Sequence, residues 1–152
     1  EEAVAACTGE KIGMISVYKG VAHPWLCDVM GHMTTRHYVA MFDDASYHFL
    51  SEVFGWAPGT AGGPGWVDVK HTIAYKDEVA AGDLLEVRGS LAKIGGKSIT
   101  VDYELHNLTK GVIAASLESI SVYFDLTTRQ AITIPDALRT RAQAFLPTGE
   151  AG

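Results

Sequence analysis

Two cysteines in 152 residues leave no disulfide framework, and Cys7 and Cys27 are too far apart in sequence for the CxxC pair of a redox or metal motif. A reducing compartment is expected, and the chain is assigned to the cytoplasm. Basic charge is also scarce. Lys plus Arg number 12 against 18 Asp plus Glu, a formal charge of −6, and no polybasic run interrupts the chain. The electrostatic footprint of phosphate-backbone binding is missing, so no nucleic-acid partner is expected. Long apolar runs are absent too: none approaches the roughly 20 residues that cross a bilayer, and the acidic opening EEAVAAC has neither part of a signal peptide. No membrane partner is expected. A GxSxG nucleophile elbow is missing, which argues against an α/β-hydrolase. His32 and His37 are five apart, not the i, i+4 pair of a helical metal motif, and no cysteine cluster completes them. Neither metal nor cofactor is expected.

What is present suffices for one core, since 47% of the residues are hydrophobic and the length is that of a single domain, 1–152. Gly13 to Val21 is short, β-branched and aromatic and reads as a first strand, closed by His23-Pro24. From Thr35 to Phe54, Tyr38, Met41, Phe42, Ala45, Phe49 and Val53 fall at three- and four-residue steps, the apolar stripe of one long helix. A Thr34 or Thr35 hydroxyl is expected to cap its start, and Gly55 its end. The PGTAGGPG run reads as loop. Four strand-like runs follow, Trp66 to Lys76, Asp83 to Ile94, Lys97 to Leu108 and Val112 to Leu126, and they are expected to form an antiparallel meander. Alternation places Val67, Val69, His71, Ile73 and Tyr75 on one face. A short amphipathic helix is expected from about 135 to 146, behind a core of about 13–135. The class is α+β, with one central helix wrapped by the sheet.

The densest cluster of functional side chains is HPWLCDVMGHMTTRHY, His23 to Tyr38, a loop running into the helix start. Asp28 lies seven residues before Thr35, so a carboxylate is near unpaired backbone N–H groups at the positive end of a helix dipole. A carboxylate can act as nucleophile or general base, and such N–H groups can stabilise an oxyanion. Acyl transfer or hydrolysis is the chemistry these parts suggest. The plain alternative is an Asp that only shapes a turn.

The pattern DxxGHxxxxxY, here Asp28, Gly31, His32 and Tyr38, resembles the signature of the hotdog-fold acyl-CoA thioesterases of the 4-hydroxybenzoyl-CoA thioesterase type. Downstream, HTIAYKDEVAAGDLLEVRGSL, GGKSITVDYEL and GVIAASLESISVYFD resemble the family's later strands, so the likeness runs from about Val17 to Pro135. It implies a hotdog fold, a long helix held by a curved antiparallel sheet of five to six strands. It further implies acyl-CoA hydrolysis, with coenzyme A as part of the substrate, by a homodimer or homotetramer. Asp28 becomes the expected nucleophile or general base and the Thr35 amide the oxyanion donor. His32 is a further catalytic candidate. Gly31, Trp25, Tyr38 and Lys97 are candidate substrate contacts, the lysine for the CoA phosphates with Arg88 and Lys93 assisting. Thr34 and Thr35 stand where the family often has Asn. Asp43 and Asp44 are an alternative acid on the helix, read more simply as its solvated face. A hotdog enoyl-CoA hydratase or dehydratase using Asp28 with His32, and a non-catalytic acyl-CoA-binding module, are the competing functions. A weaker likeness, to thioesterase-like domains of carnitine breakdown, adds an aromatic contact to a cationic acyl group near Trp25.

Overall fold

A computed structural model describes residues 13–57 and 63–147. Cys7 and the loose N-terminal arm expected around it lie outside the described residues, as does most of the PGTAGGPG run. Strand β1 (Ile15–Val21) leads through a loop to helix α1 (Thr35–Phe54). Then come β2 (Pro64–Tyr75), β3 (Leu84–Ile94), β4 (Ser98–Asn107), β5 (Val112–Asp125), the two-residue β6 (Gln130–Ala131) and α2 (Asp136–Ala142). All strands pair antiparallel in one sheet of order β1-β3-β4-β5-β2, with β6 on the end of β5. Register shifts in every major pairing mark the bulges that bend such a sheet around a helix. This is the hotdog architecture.

The apolar stripe of α1 faces the sheet as its spacing requires: Tyr38, Met41, Phe42, Ala45, Phe49 and Val53 are buried, joined by Leu50 and Phe54. Each large side chain so buried contributes about 1.5–3 kcal/mol of transfer free energy. The fit against β3 is close enough that a Cβ on Gly89 would lie 2.8 Å from Phe49 Cδ2. Gly55 ends the helix at φ +65°, its N–H bonded to the Ser51 carbonyl at 2.9 Å. The expected N-terminal cap does not form. Thr34 occupies the N-cap position, but its hydroxyl donates to the Leu26 carbonyl instead of accepting from the helix.

Two further expectations are corrected. The four later strands are not a simple meander: β3, β4 and β5 follow one another, but β2 crosses to the far edge and pairs with β5. Its would-be place beside β3 is taken by β1. The turn read as a β2–β3 hairpin closes instead onto the end of β1, with Gly82 N–H bonded to the Ala22 carbonyl at 2.7 Å. Within β2, the run Val67 to Tyr75 does not share one face. A bulge falls between Asp68 and Lys70, so Asp68 lies opposite Ser121 and Lys70 opposite Ile120. Trp66 and Asp68 before the bulge therefore share the helix-facing side with His71, Ile73 and Tyr75 after it. Val67 faces the other way and Val69 is the exposed extra residue. Pro64 and Gly65 begin this strand rather than ending the loop, and an edge strand tolerates the proline.

Helix α2 starts behind Pro135 as expected and continues as a 3-10 turn over Gln143–Phe145. It ties the far end of the molecule together: Arg139 donates to the Gly95 and Gly96 carbonyls, and Arg141 to that of Glu52. On the outer face of the sheet a charged group is buried. Ser16 and Arg88 donate to the Glu86 carboxylate, and His106 Nε2 lies 3.1 Å from Glu104 Oε1.

Candidate active site

The loop before α1 is built by its own backbone. Asp28 N–H donates to the His32 carbonyl at 2.9 Å and Gly31 N–H to the Asp28 carbonyl at 3.0 Å, which closes a tight reversal. Gly31 sits at φ +81°, where a side chain is strained, yet a Cβ there would touch nothing. Its glycine serves the turn. Asp28 Oδ1 accepts the Met30 N–H at 2.9 Å and that of His32 at 3.4 Å, so one carboxylate oxygen shapes the loop. Oδ2 has no partner among the described residues. The loop is pinned from both sides, by Met33 N–H to the Val79 carbonyl at 2.7 Å and Thr34 N–H to the Leu26 carbonyl at 3.1 Å.

Because no side chain caps α1, the Thr35 amide keeps its N–H unpaired among the described residues, at the positive end of a 20-residue helix. Beside it opens a cavity of about 320 Å³ lined by His32, Met33, Thr35, Tyr38, Tyr75, Lys76, Asp77 and Glu78. Its floor is aromatic and apolar. Tyr38 and Tyr75 meet edge to face with ring centroids 5.2 Å apart, and the Tyr38 hydroxyl donates to the Asp77 carbonyl at 3.3 Å. Burial pushes the Tyr38 phenol above its ordinary pKa, which keeps it a neutral donor.

The sequence candidates divide accordingly. Thr35, His32 and Tyr38 line the cavity, whereas Asp28 and Gly31 lie on the adjoining loop and not in its wall. The His32 imidazole does not orient Asp28. Its Nε2 lies 3.3 Å from Glu78 Oε2, so no Asp28–His32 side-chain pair of the hydratase kind is assembled. Trp25 is 74% exposed, stacked on His23 at 4.3 Å, and does not wall the cavity. Lys97 lies at the opposite end of the sheet: its turn follows β3, whose first residue Leu84 pairs with Val21 beside the site loop. Eleven strand residues separate the two ends, roughly 30 Å at about 3.3 Å per residue. Within one chain Lys97 cannot meet the Thr35 amide, and the Arg88 guanidinium is held by buried Glu86. Asp43 and Asp44 are exposed on α1. Sequence reasoning missed Tyr75, Asp77 and Glu78, which reach the site only because β2 ends beside the start of α1.

A comparison with solved structures finds the same architecture. A Staphylococcus aureus protein solved in complex with CoA matches at TM-score 0.78 and 17% identity, covering 91% of this chain and 90% of that one. A 1,4-dihydroxy-2-naphthoyl-CoA thioesterase from Synechocystis matches at TM-score 0.70 and 17% identity, covering 86% and 96%. Among curated proteins, the long-chain acyl-CoA thioesterase FadM of Escherichia coli is 26% identical over 121 residues, 78% of this chain and 90% of the relative. The profile of the thioesterase-like superfamily matches residues 22–142, a span holding the Asp28 loop, the open helix start and all the major strands but β1, and the chain belongs to that family.

Proposed function

We propose that this thioesterase hydrolyses an acyl-CoA to the free acid and CoA, with Asp28 as nucleophile or general base and the Thr35 amide as oxyanion donor. The observation that carries the reading is the uncapped start of α1 opening beside a cavity, with a half-committed carboxylate on the adjoining loop. The thioester carbonyl approaches the Thr35 N–H, and Asp28 Oδ2 attacks its carbon or takes a proton from the water that does. The C–S bond then breaks: where Asp28 is the general base, it passes the water's proton to the sulfur and CoA leaves as the thiol; where Asp28 is the nucleophile, a water next hydrolyses the acyl-Asp28 anhydride, which frees the acid, restores the carboxylate and supplies the proton for the CoA thiolate. A single amide donor aimed at a developing oxyanion is worth about 2.7–4 kcal/mol. The acyl group lies against Tyr38, Tyr75 and Met33, and the names of the relatives support CoA as the carrier. The free Cys27 thiol fits a cytoplasmic setting. The assembly is a homodimer, alone or paired into a homotetramer, joined through the unpaired edge of β2.

Thiol release from short, medium, aromatic and cationic acyl-CoAs, read with a chromogenic thiol reagent, tests this. Asp28→Asn keeps the turn acceptor at Oδ1 and removes the charge, so it is expected to lower kcat on the order of 10²–10⁴-fold in a folded protein. Full turnover in that variant overturns the assignment. Hydration of an enoyl-CoA without thiol release would favour the hydratase.

A further inference from the structure

Two polar side chains are buried beside the site loop without lining the cavity. Asp83, just before β3, is 7% exposed, and Asn107, the last residue of β4, is 1% exposed. One carboxylate oxygen of Asp83, Oδ2, accepts from Asn107 Nδ2 at 2.8 Å and from the Ala80 N–H at 2.9 Å. The Asp83 N–H donates to the Ala80 carbonyl at 3.1 Å, so the side chain and backbone of one residue close the turn Ala80–Asp83 from both directions. Asn107 is held at both ends of its amide, since its Oδ1 accepts the Lys110 N–H at 3.1 Å. Lys110 Nζ in turn donates to the Glu78 carbonyl at 2.8 Å. The stretch 78–83 is therefore tied to the end of β4.

The other side of that stretch carries the site loop. Residues 79–81 and 31–33 run antiparallel as a short ladder: Met33 N–H donates to the Val79 carbonyl at 2.7 Å, Ala81 N–H to the Gly31 carbonyl at 3.2 Å, and His32 lies opposite Ala80. Asp28 N–H bonds the His32 carbonyl, and Thr35 begins α1 two residues after Met33. Asp83 thus reaches both Asp28 and the Thr35 amide through Ala80 and this ladder. An apolar side chain would fill the same space without the desolvation cost of a carboxylate, but it would leave the Ala80 N–H and the Asn107 amide without their acceptor. We infer that Asp83 and Asn107 are positioning residues for the hydrolysis proposed above: they fix the 78–83 turn and, through it, the placement of Asp28 relative to the Thr35 amide. The inference rests on Asp28 and Thr35 performing the chemistry. A misplacement of about 1 Å at the reacting groups costs on the order of 10²-fold in rate. Tyr38 and Tyr75, the proposed acyl contacts, stand on α1 and β2 and not on the turn, so the pair acts on kcat more than on KM.

Steady-state thiol release from the acyl-CoA that the parent cleaves fastest tests this. Asp83→Ala removes the acceptor and is expected to lower kcat on the order of 10²-fold with KM little changed. Asp83→Asn keeps one oxygen for both donors and is expected to recover most of that loss. Gly89→Ala, which strains the packing of α1 on β3 away from the loop, controls for lost stability and is expected to keep the parental kcat. Amide hydrogen exchange gives a readout independent of turnover: protection of Met33 and Ala81 is expected to fall in Asp83→Ala while amides in the middle of α1 keep theirs. Should Asp83→Ala fail to fold, Asn107→Ala, which leaves Ala80 its acceptor, decides the matter by the same two measurements. Parental kcat in the folded variant, an equal kcat loss in Gly89→Ala, or Asp83→Asn as slow as Asp83→Ala overturns the positioning role while Asp28→Asn stays inactive. Full turnover in Asp28→Asn instead overturns the reading on which that role rests.

Discussion

At the scale of single residues, the loop before α1 depends on two that do different work. Asp28 accepts the Met30 and His32 amides with one carboxylate oxygen, and the other has no partner among the described residues. Gly31 supplies the left-handed backbone that lets those amides converge. Gly31→Ala adds a methyl into open space, so its cost comes from φ alone, about 1–2 kcal/mol. Gly96 also faces open space but lacks the positive φ. Thermal melts are expected to show Gly31→Ala lowered by about 2–6 °C and Gly96→Ala within about 1 °C of the parent. Equal melting points for the two would remove the turn argument. Asp28, Gly31 and the start at Thr35 were legible in the sequence because they lie within one turn and one helix end. The contact of His32 with Glu78 was not, since a strand, the helix and a loop separate the two and no local period reports it.

At the scale of elements, the helix was legible to the residue, Thr35 to Phe54, because a 3.6-residue period over 20 residues has only one solution. Strand β2 was not. A bulge inserts one residue and inverts every face after it, and Val69 is as apolar as its neighbours, so the alternation reads straight through it. The helix end was misjudged for a related reason: a threonine at the N-cap position has two uses for its hydroxyl, and here the Leu26 carbonyl takes it. Packing of α1 on β3 yields its own test. Gly89→Ala forces its methyl against Phe49 and Tyr103, and overpacking of this kind costs about 1–3 kcal/mol. Chemical denaturation is expected to show that loss, with Phe49→Leu relieving part of it in the double variant. Simple addition of the two single losses would count against the contact.

At the scale of the whole molecule, the outer face of the sheet buries His106 and Glu104 in mutual contact, near Glu86 and Arg88. Burial, with the nearby Arg88 charge, holds the His106 imidazole below its ordinary pKa, and this outweighs the pull of Glu104 and Glu86. The unfolded chain therefore binds a proton that the folded one resists. Stability from this residue is complete above about pH 6.5, the ordinary histidine value, and is lost as pH falls below it. Melting temperature is expected to decline between about pH 7 and 5 in the parent and to decline less in His106→Gln. An identical slope in both would place the acid sensitivity elsewhere. The order of strands belongs to this scale as well, and the linear sequence concealed it, since adjacency along the chain favours a β2–β3 hairpin that does not occur.

That order has a consequence for how the chain is made. Strand β2 is synthesised early, and although Trp66 and Tyr75 pack on α1, its one strand partner among the described residues is β5, so its ladder is not complete until residues as late as Asp125 have left the ribosome. Tyr75 ends β2, Asp77 and Glu78 follow it, and all three take their positions with it, so the pocket closes late in the nascent protein. Until then both edges of β2 lack a strand partner, so during translation from Tyr75 to Asp125 the strand offers two open rows of backbone groups where the folded chain offers one.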